Sequence, residues 1–280
     1  MIKSLYKFLS SRYQNLFLDY KVDFKPRYTD EKPHQSLLEV ISKNDSTYEE
    51  LLKNTLKYKD TLLSINKDEV ETDDSQPTYN NDFLPGLDII TLYANIAYFK
   101  PENYIEVGSG NSTKVAFKAK QETNPSMKIT SIDPFPRAEI DALSDKVVRR
   151  GFEDVDYDDI LSLKENDILF IDNSHRILPN SDAMVFFLEI LPKLNKGVVV
   201  HIHDIYLPYD YPQFMCDRFY SEQYGLAMYL LANDSKFNTI LPNYYIYKTP
   251  KLHSLLDEIW KSEKFQGIET HGGSYWLQIK

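Results

Sequence analysis

The run Tyr104-Ile-Glu-Val-Gly-Ser-Gly-Asn-Ser-Thr113 constrains the fold more than any other stretch of the chain. An apolar strand carries Glu106 near its end, turns through Gly108 and Gly110, and meets hydroxyl side chains at a helix start. Two glycines at this spacing let a nucleoside cofactor lie close on the backbone, where a Cβ would collide with it. A strand that passes through such a loop into a helix is the opening unit of a parallel α/β sheet. Its ligand site lies at the carboxyl end of the strand.

The residues that follow repeat this unit. Apolar stretches at 104–107, 127–132, 146–149, 167–171 and 197–202 read as strands, and 244–247 and 274–279 are strand-like. Helical patterns at 84–99, 112–120, 156–163, 182–191 and 222–231 alternate with them. Unbroken apolar strands mean a sheet covered on both faces. The expected fold is α/β: a Rossmann-like, mainly parallel seven-stranded sheet with helices on both faces, over residues 83–280. Residues 1–82 differ, with much Lys, Asp, Glu, Ser and Tyr and no glycine. They read as an N-terminal helical extension or lid, with a solvated arm as the alternative. Ser46-Thr-Tyr-Glu49 has the form of a capping box ahead of Leu51, Leu52 and Leu56. The polar stretch 67–81 reads as a connector.

A net charge of −10 opposes nucleic acid or an anionic membrane as the main partner, since both demand basic surfaces. The single Cys216 makes no internal disulfide and reads as a packing residue, so a cytoplasmic location is expected. Lys3 and Lys7 interrupt the first apolar residues, where a signal peptide needs an apolar core of roughly 7–15 residues.

The polar residues at the expected strand ends are Glu106, Asp133, Asp172 with His175, and His203 with Asp204. They come from distant parts of the chain and should meet on one rim of the sheet. Asp133 ends the second strand, where an ionised carboxylate can accept from both hydroxyls of a ribose.

Glu106-Val-Gly-Ser-Gly110 and Ser131-Ile-Asp133 resemble the class I S-adenosylmethionine-dependent methyltransferases, over roughly residues 83–280. The resemblance implies that Gly108 and Gly110, with Glu106 and Ser109, hold the methionine part of the cofactor and that Asp133 holds its ribose. It places the segment Gly151–Val155, with Asp154, around the adenine. Phe170-Ile-Asp-Asn-Ser-His175 is similar to the Asp-Gly-Ser-His segment of metal-dependent sugar and macrolide O-methyltransferases. There the Asp binds Mg²⁺ and the His is the base, which implies those roles for Asp172 and His175. Val200-His-Ile-His-Asp204 resembles the strand end that supplies the remaining ligands, here His203 and Asp204. His203 stands where the macrolide enzymes carry Glu. Mg²⁺ prefers oxygen, and an imidazole suits Mn²⁺, Fe²⁺ or Zn²⁺ better, so the ion stays open between Mg²⁺, Mn²⁺ and others.

The chemistry these residues suggest is methyl transfer to a hydroxyl of a small molecule or glycan. A divalent cation would lower the hydroxyl's pKa, and His175, with an ordinary pKa near about 6.5, would take the proton. His201 reads as structural. His203 and Asp204 can both face a metal only if the strand breaks between them. Arg137 is a further candidate for binding substrate or cofactor. The aromatic loop with Tyr206, Tyr209 and Tyr211 would either cover the site or pack on the extension. Two other functions stay open. One is a non-catalytic cofactor-binding or assembly module, for which His203 leaves room. The other is a nicotinamide-linked oxidoreductase, against which the missing third glycine counts. No nucleic acid or membrane partner is expected, and a homo-oligomer is compatible with the sequence.

Overall fold

The structure is a computed structural model, which describes residues 6, 8–10, 14–69, 73, 75–136 and 140–280. Arg137 lies outside the described residues, as do most of the first thirteen residues and positions 70–72 and 74 of the connector.

Seven strands form one sheet: β1 (Asn103–Val107), β2 (Lys128–Ile132), β3 (Lys146–Val148), β4 (Ile168–Ile171), β5 (Val199–Ile202), β6 (Phe237–Pro242) and β7 (Tyr275–Ile279). Their order is β3-β2-β1-β4-β5-β7-β6. The first five strands pair in parallel, and β7 runs antiparallel to both β5 and β6. Every residue of β4 and β5 is buried, so the centre of the sheet is covered on both faces, as its unbroken apolar character requires. The strand order reverses between β1 and β4, which opens a crevice at their carboxyl ends.

The longer helices are α1 (Gln35–Ser42), α2 (Asp45–Thr55), α3 (Gly86–Phe99), α4 (Asn111–Thr123), α5 (Glu222–Ala232) and α6 (Asn243–Lys248). α3 is buried along nearly its whole length and stops at Lys100, which takes a left-handed conformation ahead of Pro101. Leu37 and Ile41 of α1, Tyr48, Leu51 and Leu52 of α2, and Leu62 and Ile65 belong to the same apolar core as the sheet. Residues 35–65 are therefore a packed layer, and the solvated-arm alternative does not hold for them.

Two local expectations are corrected. Residues 244–247 are helical, within α6, and the sixth strand is Phe237–Pro242. The Ser46–Glu49 capping box does not form, because α2 already begins at Asp45 with Asn44 ahead of it. The Asn44 amide instead donates to Asn238 and to the Thr239 carbonyl on β6, tying the helix to the sheet.

Candidate active site

The parallel ladder carries four site residues to one rim. Beyond the strand ends, Gly108 N–H donates to the Ile132 carbonyl, Asp133 N–H to Val148, Asp172 N–H to Val107, and His203 N–H to Ile171. A cleft of about 300 Å³ opens there, lined among others by Gly108, Ser109, Asp133, Phe152, Asp172 and His175.

Glu106 does not reach the cleft. It is fully buried under the glycine loop, accepting from Ser131 Oγ (2.7 Å), Ser112 Oγ (3.2 Å) and Thr113 Oγ1. Burial pushes its carboxyl up to about 7 against those hydroxyl bonds. Its role is to fix the loop to β2 and to the start of α4. Gly108 is required by the fold itself: at φ 83° a Cβ would stand 1.8 Å from the Asp172 carbonyl oxygen. At Gly110 an added Cβ meets nothing within 4 Å. Only there does the open space match the expectation of a glycine kept clear for a ligand. Asp133 accepts from Ser109 N–H (2.9 Å) and Phe135 N–H (2.8 Å), one on each oxygen, which leaves lone pairs for further donors. Glu153, and not Asp154, lines the cleft, beside Gly151 and Phe152.

Around the Asp172 and His175 that line this cleft, two histidines and two aspartates converge. His175 Nε2 lies 3.5 Å from Asp172 Oδ1 and 3.4 Å from Asp204 Oδ2. His203 Nδ1 lies 3.6 Å from Asp172 Oδ1 and 3.7 Å from Asp204 Oδ1. The break needed after His203 exists, because Asp204 takes a left-handed conformation with φ 56°. His175 is left-handed too, at φ 62°. As the side chains stand, no group of three or more His, Cys, Asp or Glu among the described residues is arranged to hold a metal ion.

Each histidine is held from behind by a buried carboxylate. His175 Nδ1 bonds Glu222 Oε1, and His203 Nε2 lies 3.2 Å from Asp88 Oδ2. Asp88 also accepts from Asn243 Nδ2 (2.7 Å), Gly273 N–H (2.7 Å) and Ser274 N–H (3.0 Å). Burial favours neutral imidazoles, but the carboxylates outweigh it and hold both histidines above their ordinary range: Glu222 first for His175, Asp204 first for His203. The carboxylates around His175 therefore favour its imidazolium form, in place of the ordinary pKa near 6.5 that the sequence suggests.

Residues 105–205, covering β1 to the turn after Asp204, match the family model described as "Methyltransferase domain". Over these residues the chain is similar to a methyltransferase domain. Among solved structures it is similar to the S-adenosylhomocysteine-bound Podospora anserina methyltransferase PaMTH1, at 13% identity and TM-score 0.42, covering 86% of this chain and 96% of that one. It is also similar to an O-methyltransferase from Bacillus cereus in complex with S-adenosylhomocysteine, at 12% identity and TM-score 0.39, covering 90% and 99%. Likeness at these scores bears on neither acceptor nor metal. No curated protein sequence matches the chain at the threshold applied.

Within the matched segment, His201 is structural as expected. It is stacked between Phe170 (4.2 Å) and Trp276 (3.9 Å), bonds Ser274 Oγ at 2.6 Å, and is kept neutral by burial. The aromatic loop packs on the N-terminal segment: Arg27 N–H donates to Asp210, Asp210 N–H to Tyr28, and His34 N–H to Pro208. Tyr206 and Tyr211 are buried there with Met215, Cys216 and Tyr220. Sequence reading missed Asp88, Glu222 and Tyr220. Asp88 had a signal, since it is a lone charge in an otherwise apolar helix. Glu222 had none, because an acid in a first helical turn is ordinary.

Proposed function

We propose that the protein transfers a methyl group from S-adenosylmethionine to a hydroxyl of a small-molecule or glycan acceptor, assisted by a divalent cation. The observation that carries this reading is the shared cleft. Gly108, Ser109 and Asp133 line it together with Asp172 and His175, and His203 lies 3.6 Å from that Asp172 and Asp204 3.4 Å from that His175.

Gly108, Ser109 and Gly110 would receive the methionine part of the cofactor, Asp133 the ribose, and the Phe152–Asp154 turn the adenine. The donor chemistry of the cluster suits a divalent ion: two carboxylates, with His203 Nδ1 turned toward them. His203's other nitrogen is held by buried Asp88, the carboxylate–histidine arrangement that orients metal-bound imidazoles. Asp172, His203 and Asp204 would hold the ion. When bound, the ion would lower the acceptor's pKa and offset two of the three carboxylates that favour the charged form of His175. His175 Nε2 is the group placed to take the acceptor's proton. Glu222 fixes the ring by its bond to Nδ1. Removal of such a base lowers turnover by about 10²–10⁴-fold.

Calorimetry tests the cofactor half of this reading. S-adenosylhomocysteine should bind with a Kd on the order of 1 μM, about −8 kcal/mol. Asp133→Ala should weaken that affinity at least about tenfold, a loss of ~1.4 kcal/mol, while Asp172→Ala should leave it nearly unchanged. Absence of binding to the wild-type protein would end the proposal. Elemental analysis of the purified protein, wild type against Asp204→Ala, reports the ion independently of turnover.

A further inference from the structure

Beside the cluster lies a pair of cations that the reaction as described does not use. Tyr220 stacks on the His175 ring, with centroids 4.5 Å apart and 21° between planes. Two guanidinium groups sit over the same tyrosine ring, Arg176 at 5.2 Å and Arg218 at 4.9 Å from its centre. Arg176 is held in place by two backbone carbonyls, donating Nε to Arg218 O and Nη1 to Ser174 O, each at 2.7 Å. Among the described residues neither guanidinium has a carboxylate within 4.0 Å.

Two like charges gathered over one ring repel each other, and the cation–π contacts offset only part of that, about 0.5–2 kcal/mol each. In a chain of net charge −10, acids to neutralise them are plentiful, yet none is placed here. Arg176 spends two of its five donors on the carbonyls and keeps the others in a fixed orientation. Arg218 is exposed and keeps its fork free. A guanidinium fork matches the oxygens of a carboxylate or a phosphate. A single ring, Tyr220, separates these forks from His175.

We propose that Arg176 and Arg218 form an anion subsite for the acceptor, so that the acceptor is a hydroxyl compound carrying a carboxylate or phosphate group. The inference rests on the methyl-transfer reading above. It adds that the reacting hydroxyl belongs near His175 while the anionic group lies on the arginine pair.

Binding of three probes to the full chain saturated with S-adenosylhomocysteine tests it: inorganic phosphate, glucuronate and neutral methyl glucoside, titrated by calorimetry at low and high salt. At least one anion should bind tenfold or more tighter than methyl glucoside and weaken with salt. Phosphate binding alone assigns a phosphorylated acceptor, and glucuronate binding alone a carboxylated one. Arg218→Gln, at an exposed position, should keep its thermal stability and lose at least tenfold in anion affinity. Arg176→Lys, which keeps the charge but not the fork, should lose a similar factor. Equal binding of the neutral sugar, unchanged anion affinity in both variants, or no anion binding at all would overturn the subsite. Failure of S-adenosylhomocysteine itself to bind would instead overturn the methyl-transfer reading.

Discussion

An alanine at residue 108 would bring its Cβ within 1.8 Å of the Asp172 carbonyl oxygen, at a φ that side chains rarely adopt. Gly108→Ala should therefore cost about 3 kcal/mol or more of stability. Gly110→Ala meets no neighbour and should cost less than about 1 kcal/mol, with its loss expressed in S-adenosylhomocysteine affinity. Thermal unfolding and calorimetry on the two variants separate a glycine needed by the fold from one kept clear for a ligand. Equal stability losses would contradict the distinction. Glu106 gives a second test at this scale. Its carboxyl is raised to about 7 in the folded protein, so the folded state holds its proton more tightly than the unfolded chain does. The stability linked to it is fully present below the ordinary glutamate range near 4.5 and is lost as pH rises through about 7. The loss amounts to about 3 kcal/mol. Glu106→Gln has no such proton to lose. The difference in stability between wild type and variant should shift across pH 4.5–7 and stay flat above it. A pH-independent difference would show that the buried group does not titrate there.

The strands were legible where both faces are buried. β4 and β5 appear in the sequence as largely apolar runs followed by Asp172 and His203, β1 and β2 as apolar runs interrupted by Glu106 and by Lys128, Thr130 and Ser131, and the structure puts all four within a residue or two of those runs. The sixth strand was not legible. Phe237–Pro242 carries Asn238 and ends on a proline, whereas the aromatic run at 244–247 has the composition of a strand but lies in α6. The start of α2 was misread for a related reason. Tertiary contact recruits the Asn44 amide to β6, and no local rule records that. The same contacts make α1 and α2 part of the core. Leu52 is fully buried within the cluster that holds the sheet. Leu52→Ala should therefore cost about 2–5 kcal/mol in chemical denaturation and leave a single cooperative transition. A cost under about 0.5 kcal/mol, the usual range for a surface position, would mean that these helices only rest on the domain.

For the whole molecule, the rim of acids was legible because parallel strands deliver their carboxyl ends to one edge whatever lies between them in sequence. The charge state of that rim was not. Asp88 and Glu222 reach the histidines from α3 and α5, elements with no motif of their own, and help to hold both imidazoles above their ordinary range. Among the described residues no helix is long and apolar enough to cross a membrane. The central claim is spatial: one cleft presents the methyl donor to the histidine–aspartate cluster. A crystal structure with bound S-adenosylhomocysteine tests this most directly. The account expects ribose hydroxyls on the Asp133 carboxylate, adenine beside Phe152, and the sulfur facing His175 and Asp172. A ligand seated elsewhere, or one whose sulfur points away from that cluster, would contradict it.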